Sequence, residues 1–444
     1  MTAAPASHWR GALAPPAGVL DVSRRLEDAG YETWCVGGAV RDAVLGRPSL
    51  DWDLATAARP EQVQQLFRRT VPKGIAFGTV GVLDRDGVMH EVTTFRRDVR
   101  TDGRHAVVEF GASLADDLAR RDFTINAIAY RPATGAVADP FDGVGDLARR
   151  VVRAVGEPGE RMREDRLRAL RAIRFAARFG FAIDSATWAA IVASGPHLGR
   201  LSPERVREEL EKTMRQAPRP AWALERWRAA GALATLAPAL DAQPPEAFAA
   251  CDCLPPPTLA ARPQRLWNRM TAPWLGLERA EVDRALTALR CSRQEVRWAA
   301  DLAGRWHLLA PAFRAHLADG APPPPDAELR RWAAACGRTL AAPVLRLAAA
   351  RFAAERAAGV PAPGAGAVRA VYRRVVRIAY RDPIEVADLA VDGGDLAEAG
   401  VRAGPLVGRI LRRLLDDVVE EPGRNTRGWL LDRARFLSSQ ADTI

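Results

Sequence analysis

The stretch CVGGAVRDAVLGRPSLDWDLAT, residues 35–56, decides how the first part of this chain folds. An apolar run ends in the pair Gly37 and Gly38, a helical stretch bearing Arg41 follows, and a second apolar run closes the segment. A glycine pair at a strand-to-helix turn lets backbone N–H groups approach an anion closely, and the helix dipole also favours negative charge there. The stretch therefore predicts a strand, a tight turn, a helix and a second strand, arranged to bind phosphate.

Two aspartates, Asp51 and Asp53, introduce the second apolar run in the pattern D-x-D-L. Side chains alternate along a strand, so both carboxylates are expected to point the same way. Neighbouring carboxylates repel each other unless a cation lies between them, and Mg²⁺ is the usual such cation. Two metal ions can activate a hydroxyl and stabilise the leaving oxygen of an in-line displacement. The alternative is an ordinary glycine turn followed by aspartates that face solvent.

The composition excludes a disordered chain or a small disulfide scaffold, because 444 residues with 48% hydrophobic content can form real cores. The formal net charge is +10, and only Lys73 and Lys212 are lysines, so arginine supplies nearly all of the positive charge. Arginine can bind phosphate through two parallel hydrogen bonds, which favours a polyanionic partner. A GC-rich genome would explain the same composition without a functional reason.

The cysteine pattern indicates a reducing, cytoplasmic location. The five cysteines include no C-x-x-C pair, their number is odd, and they are not interleaved with histidines as a zinc site requires. We see no targeting segment and no run of about 18 apolar residues, so no membrane partner is expected.

The hydrophobic pattern changes along the chain and predicts the α+β fold class. Short runs rich in Val, Thr and aromatic residues alternate with turns up to about residue 130. These runs are TWCVGGAV (33–40), GTVGVL (78–83), HEVTTF (90–95) and HAVVEF (105–110). After Gly143, apolar residues recur at spacings of three and four, which predicts helices to the end of the sequence. Proline-rich stretches at 254–263, 321–326 and 360–366 are predicted loops between them.

Four motifs in order resemble one known family. They are GGxxRD followed by DxDLAT, RRDFTINA (120–127), EDxxR (164–168) and ERxxxE (204–209). This series is similar to that of the class II CCA-adding enzymes and their poly(A) polymerase relatives, within the nucleotidyltransferase superfamily that includes DNA polymerase β. The resemblance rests on about residues 30 to 210.

The resemblance implies a polymerase β-like head with a mixed sheet at 18–143, a helical neck at 144–216, and a helical body and tail at 217–444. The implied reaction is attack by a tRNA 3′-hydroxyl on the α-phosphate of CTP, twice, and then of ATP. The implied metal ligands are Asp51 and Asp53 with Glu91 as a third catalytic carboxylate, the implied triphosphate ligands are Gly37, Gly38, Arg41 and Arg121, and the implied ribose ligand is Asp122. Asp122 is also predicted to cap a helix, and Gly143 to form a hinge or a plain turn.

A second group of candidate residues, Asp165, Arg168, Arg171 and Arg174, recurs at steps of three, which predicts one band along a helix. An acid beside arginines suits a nucleotide, because cytosine and adenine present an amino donor next to an acceptor, whereas uracil and guanine present a carbonyl. The EDxxR match implies that these residues read the base and phosphates, with Glu164 orienting Arg168. The ERxxxE segment is interpreted as structural support.

Alternatives with the same chemistry are poly(A) polymerase and enzymes that add only CC or only A. The segment RRDVRTDGRHAVVEF (96–110) is full length compared with CC-adding enzymes, which favours complete CCA addition. An alternative of another class is a non-catalytic RNA-binding protein on a transferase fold. Retention of both Asp51 and Asp53 argues against it.

Overall fold

The computed structural model describes residues 13–440 apart from 50, 102–105, 258–263 and 403. The chain divides into two compact units. One comprises the chain up to Glu209 together with Arg226–Leu236, and the other comprises Leu210–Glu225 and the chain from Ala237 onwards. The predicted boundary between residues 143 and 144 lies inside the first unit, and the division into head, neck and body stays a prediction.

The first unit contains all of the described strands. They are β1 (Thr33–Val36), β2 (Asp53–Thr56), β3 (Thr70–Pro72), β4 (Thr79–Leu83), β5 (Met89–Thr94), β6 (Arg96–Thr101), β7 (Ala106–Phe110), β8 (Ala129–Arg131), β9 (Ala136–Ala138), β10 (Val151–Val152) and β11 (Ala182–Ile183). Its helices are α1 (Ala17–Asp28), α2 (Gly38–Val44), α3 (Pro60–Leu66), α4 (Leu114–Ala119), α5 (Gly143–Arg149), α6 (Pro158–Glu164), α7 (Leu167–Phe179) and α8 (Ser185–Ser194), then α9 (Pro203–Gln216) and α10 (Pro220–Ala229), which have residues in both units, and α11 (Ala232–Leu236).

Seven strands form one mixed sheet in the order β3-β4-β5-β2-β1-β8-β9. Only the β2–β5 pair is parallel among these neighbours; the others are antiparallel. The four predicted strand runs are confirmed as β1, β4, β5 and β7, and the α+β class with a mixed sheet is confirmed. The segment 96–110 contains the separate hairpin β6–β7, and residues 102–105 lie outside the described part of the chain.

The core of the sheet forms where apolar side chains of β1 and β2 meet those of later segments. Trp34, Val36 and Ala55 pack with Phe95 and Leu118, all under 9% exposed. Each large side chain that is fully buried contributes about 1.5–3 kcal/mol of hydrophobic free energy. This packing fixes the ends of β1 and β2, where the glycine pair and the aspartates lie.

Gly143 is required by close packing. A Cβ atom there would lie 2.2 Å from the carbonyl oxygen of Thr124, so α5 could not approach that segment with any larger residue. Asp139 holds the start of the helix, because its carboxylate accepts from the backbone N–H groups of Gly143 and Val144 at 2.7 and 2.9 Å. Gly143 is thus the first residue of a closely packed helix rather than part of a plain turn, and its role as a hinge stays a prediction.

The second unit is helical throughout the residues that the structure describes. Beyond its parts of α9 and α10, its helices are α12 (Pro238–Asp241), α13 (Pro245–Asp252), α14 (Gln264–Thr271), α15 (Arg279–Ala288), α16 (Arg293–His316), α17 (Asp326–Cys336), α18 (Arg338–Ala357), α19 (Ala365–Arg381), α20 (Gly393–Glu398), α21 (Pro405–Glu420) and α22 (Arg427–Ser439). The predicted loops are confirmed at 254–257, 321–325 and 360–364, and residues 258–263 lie outside the described part. Within the described residues after Gly143, the strands that the helical prediction missed are β10 and β11, a two-residue parallel pair in the first unit, which is too short to carry a period.

A buried arginine, Arg269, holds the second unit together locally. Its Nη1 donates to the carbonyls of Met214 and Ala217 at 2.9 and 3.3 Å, and its Nη2 donates to that of Leu254 at 3.1 Å. Carbonyls at a helix end lack partners within the helix and favour a cation. Arg269 therefore caps the end of α9, although burial lowers its pKa. No helix in the described ranges has the length and apolar character that crossing a bilayer demands.

Candidate active site

Three carboxylates lie near the start of β2, in the interior of the mixed sheet. Asp53 is the first residue of β2, and Leu54 pairs with Val92, so Asp53 lies level with Glu91 on the parallel strand β5. Trp52 between the two aspartates is buried, and its indole Nε1 donates to the carbonyl of Ser49 at 2.9 Å. Asp51 is exposed.

The charges of the other two carboxylates act on Asp53. Burial, then the charges of Asp51 and Glu91, raise the pKa of Asp53 to about 6. Arg121 and Lys73 oppose that rise. Asp53 is thus a buried carboxylate on which two carboxylates and two cations act in opposite directions.

Lys73, in the segment after β3, is a site residue that the sequence reasoning did not identify. Its Nζ lies 2.5 Å from Oε1 of Glu91, and the hydrogen bond to Glu91 raises the pKa of Lys73. Its rarity was the available signal, since Lys73 is one of only two lysines in an arginine-rich chain. Within the described residues, no three or more Asp, Glu, His or Cys side chains are grouped so as to hold a metal ion.

The glycine turn lies directly against this cluster. Gly37 has φ of 75°, in the left-handed region that favours glycine, and it precedes the first residue of α2. A Cβ atom on Gly37 would lie 3.2 Å from Nη1 of Arg121 and 3.8 Å from Oδ2 of Asp53. The turn, the arginine and the aspartate are thus brought together, as predicted from widely separated motifs. Gly38 is the first residue of α2.

Arg41 points into the protein. Its Nε and Nη2 lie 2.8 Å from Oδ1 of Asp42, and its Nη1 donates to Oδ1 of Asn126 at 2.6 Å. The guanidinium also lies over the rings of Phe175 and Phe179 at 5.1 and 4.8 Å. Burial lowers the pKa of Arg41. All three nitrogens have partners within the chain.

The predicted role of Asp122 as a helix cap is wrong. A short 3₁₀ turn, Thr124–Asn126, follows it, and Phe123 precedes that turn directly. The Asp122 carboxylate accepts from Nδ2 of Asn126 at 2.9 Å and from Nε and Nη2 of Arg171 at 2.9 and 2.6 Å. Burial raises the pKa of Asp122, but Arg171 and the Asn126 bond lower it by more, so the pKa lies below its ordinary value.

The predicted band of one acid and three arginines is not a single helical face. Asp165 ends α6 in an extended conformation, and α7 begins only at Leu167. Its Oδ1 accepts from the backbone N–H of Leu167 at 3.0 Å, and its Oδ2 accepts from Nη2 of Arg205 at 2.7 Å. An aspartate competes for backbone N–H groups in this way, which breaks the helix that the spacing suggested.

The arginines of α7 are fixed by carboxylates and carbonyls. Arg168 donates through Nη1 to Oε2 of Glu164 at 2.7 Å and through Nη2 to the carbonyl of Arg120 at 3.1 Å. The orienting role expected of Glu164 matches this bond. Arg174 donates through Nε to Oε2 of Glu209 at 2.6 Å, and both side chains are at most 5% exposed. The ERxxxE segment thus contacts the arginine row through Glu209, as expected of structural support.

Comparisons with known proteins agree with this architecture. Residues 33–153 match the family described as "Poly A polymerase head domain", and residues 180–243 match the family described as "Probable RNA and SrmB- binding site of polymerase A". The mixed sheet, its carboxylates and these matches define the class as a nucleotidyltransferase with a polymerase β-like head.

The relatives give the family. The chain is 36% identical over 425 residues to a CCA-adding enzyme of Limosilactobacillus fermentum, covering 93% of this chain and 95% of the relative. It is 33% identical, with a TM-score of 0.72, to the CCA-adding enzyme of Bacillus stearothermophilus solved in complex with CTP, covering 95% and 98% of the two chains. A CCA-adding enzyme of Thermotoga maritima complexed with tRNA-CCA shares the fold at 20% identity, a TM-score of 0.62 and coverage of 95% and 96%.

The chain belongs to the family of CCA-adding enzymes, which are tRNA nucleotidyltransferases. This confirms the resemblance inferred from the motifs, and the family is one of enzymes rather than of non-catalytic RNA-binding proteins.

Proposed function

We propose that this chain adds C, C and A to the 3′ end of tRNA from CTP and ATP, without a nucleic-acid template, and releases pyrophosphate. The observation that carries the proposal is the crowding of Asp51, Asp53 and Glu91 beside the turn at Gly37. A buried carboxylate whose pKa is raised, with two further carboxylates beside it and a phosphate-binding turn, is suited to metal-assisted nucleotidyl transfer. Family membership supplies the tRNA, CTP and ATP.

The carboxylate set fits Mg²⁺. Burial and, after it, repulsion from Asp51 and Glu91 raise the pKa of Asp53, and a divalent cation would offset both effects. Mg²⁺ is commonly held by one or two carboxylates together with substrate phosphates. A cluster of three protein ligands is therefore not required. Asp51 and Asp53 would hold the metal ions, which when bound lower the pKa of the attacking hydroxyl and stabilise the leaving oxygen. Glu91 is bonded to Lys73 and could assist only after releasing it.

The nucleotide's phosphates and sugar would lie along the glycine turn. We assign phosphate binding to the backbone of Gly37 and Gly38 and to Arg121. The turn places the N-terminus of α2, the positive end of its helix dipole, beside the Arg121 guanidinium. Asp122 would accept from the ribose hydroxyls, since Arg171 keeps it ionised. Arg41, predicted as a triphosphate ligand, would act by holding α2 in place, because its three nitrogens are bonded within the protein.

We assign base selection to Asp165 and Arg168. Arg168 uses Nη1 and one hydrogen of Nη2 within the described chain, which leaves Nε and the second Nη2 hydrogen to donate to a base. A carboxylate acceptor beside this donor would pair with the amino edge of cytosine or adenine and would face a carbonyl in uracil. Arg171 and Arg174 would support the pocket through Asp122 and Glu209.

The cellular setting follows from the same proposal. All five cysteines are free thiols, which fits the reducing cytoplasm in which tRNA is processed. Arginine-rich helices of the second unit, such as α19, offer the positive charge that a tRNA backbone requires.

The test is end-sequencing of a tRNA transcript that stops at the discriminator base, after incubation with Mg²⁺ and CTP, ATP or both. Addition of C, C and A with termination is expected. Addition of CC only, of a single A to CC-ended tRNA only, or of a long A tract would each replace the proposal with the corresponding relative.

The matched variants are Asp51→Asn and Asp53→Asn, with Asp86→Asn in the exposed β4–β5 turn as the control. Each site variant should slow incorporation by at least about 100-fold, because several kcal/mol of transition-state stabilisation is lost. tRNA binding should stay near wild type. Full activity in both site variants would show that the carboxylates do not hold the catalytic metals.

A further inference from the structure

Asp117 is a buried carboxylate that the proposed reaction has not yet used. It lies in α4 with a side chain 1% exposed, and it is flanked by the arginines of the RRDFTINA motif. Its Oδ1 accepts from Nε and Nη2 of Arg120 at 3.0 and 2.7 Å, and its Oδ2 accepts from Nη2 of Arg121 at 3.0 Å. One carboxylate therefore holds two neighbouring guanidinium groups.

The bond from Asp117 to Arg121 leads to the phosphate side of the site. Nη1 of Arg121 lies against Gly37, and the charge of Arg121 lowers the pKa of Asp53. The other terminal nitrogen, Nη2, is the one that Asp117 binds. Nη1 of Arg121 is also 3.5 Å from the carbonyl of Asn126, a long and weak bond. Asp117 is thus the strongest anchor of Arg121 among the described residues.

The bonds from Asp117 to Arg120 lead to the base side of the site. The backbone carbonyl of Arg120 accepts from Nη2 of Arg168, the donor assigned to base selection. Asp117 fixes Arg120 through its side chain and so fixes the carbonyl that orients Arg168. Asp117 therefore binds one arginine on the phosphate side and one on the base side of the nucleotide site.

We propose that Asp117 is a positioning residue that sets Arg121 toward the triphosphate and, through Arg120, sets Arg168 toward the base; this inference rests on the proposed function. Burying a charge is costly, and two bound guanidiniums offset that cost only in a fixed geometry. Although burial raises the pKa of Asp117, Arg121 and Arg120 lower it, so the carboxylate stays charged and keeps both arginines in place.

The experiment compares Asp117→Asn with Asp116→Asn in the full chain. Asp116 is the matched control because it is the preceding residue, but it accepts from the backbone N–H and hydroxyl of Ser113 at the start of α4. Binding is measured without tRNA, so that no turnover occurs, using CTP, UTP and inorganic tripolyphosphate as probes. Thermal unfolding reports whether each variant is folded.

Asp117→Asn should weaken tripolyphosphate and CTP binding by about tenfold or more, since charged hydrogen bonds that order Arg121 are lost. The preference for CTP over UTP should also shrink, because Arg168 loses its orienting carbonyl. Asp116→Asn should change all three affinities by less than about twofold. Unchanged affinities in folded Asp117→Asn would overturn the inference.

A double-mutant cycle separates positioning from general structural support. If Asp117 acts through Arg121, combining Asp117→Asn with Arg121→Met should weaken tripolyphosphate binding no more than Arg121→Met alone, whereas additive losses would overturn the inference. Should Asp117→Asn fail to fold, the same cycle is run with Asp117→Glu, which keeps the charge but displaces it. Wild-type protein that binds no CTP and adds no nucleotide would refute the proposed function instead.

Discussion

Replacing Asp53 by asparagine should make the first unit more stable at neutral pH while abolishing activity. Burial, Asp51 and Glu91 raise the pKa of Asp53 from 3.8 to about 6. The folded chain therefore holds the Asp53 proton more tightly than the unfolded chain does. The stabilising contribution of that proton is full below about pH 4 and is lost as the pH rises through about 6.

The size of the effect follows from the shift. A rise of about 2 pKa units at about 1.4 kcal/mol per unit makes the ionised Asp53 unfavourable by about 3 kcal/mol above pH 7. The asparagine side chain carries no charge, so Asp53→Asn should raise the free energy of unfolding by up to about 3 kcal/mol at pH 8. The gain should vanish at about pH 4, where Asp53 in the wild type is protonated.

The assay is hydrogen exchange of backbone amides in β2 and β5, read by mass spectrometry between pH 5 and 8 and corrected for the intrinsic rate. Asp86→Asn, on the exposed turn of the same sheet, is the control and should show no gain. Saturating Mg²⁺ should narrow the difference by stabilising the wild type. Equal protection of wild type and Asp53→Asn at pH 8, or a gain at pH 5 as large as that at pH 8, would refute the charge-crowding argument.

Two further outcomes are expected. Asp165→Asn turns an acceptor partly into a donor, so the ratio of UTP to CTP incorporation should rise about tenfold, whereas Glu160→Gln in α6 should leave it unchanged; competition assays with both nucleotides measure this. Gly143→Ala should cost about 1–3 kcal/mol in thermal unfolding, because its Cβ would meet the Thr124 carbonyl, whereas Gly366→Ala, with open space around it in α19, should stabilise slightly. A neutral Gly143→Ala would contradict the packing around α5.

The fold was predictable from the sequence where local pattern and tertiary packing agree. The strand run around Val92 alternates between buried and more exposed residues, and the run around Cys35 is buried throughout. The glycine pair marks its turn because the positive φ of Gly37 favours glycine. The break at Asp165 was missed, because spacing by three describes a helix equally well whether or not a side chain captures a backbone N–H.

The site was predictable in its members but not in their partners. The motifs identified Arg41, but not that its guanidinium is enclosed between Asp42, Asn126 and two phenylalanine rings. Long-range ion pairs such as Lys73 with Glu91 depend on which strands become neighbours, and sequence spacing carries no record of that. Asp117 could have been found, since an acid three and four residues before two arginines is the spacing of a helical ion pair.

The two units are interleaved in sequence, because Leu210–Glu225 belongs to the second unit and Arg226–Leu236 to the first. This restricts which fragments of the enzyme can contain a whole unit. A fragment that stops at Glu209 lacks Arg226–Leu236, which belongs to the same unit. A fragment that continues to Leu236 carries Leu210–Glu225 without the partners of that segment, which include the Arg269 clamp on the end of α9. The chain passes between the units three times, at 209/210, 225/226 and 236/237, so neither unit can be transferred alone. Chimeras with other nucleotidyltransferases should therefore place their junctions before residue 210 or after residue 236.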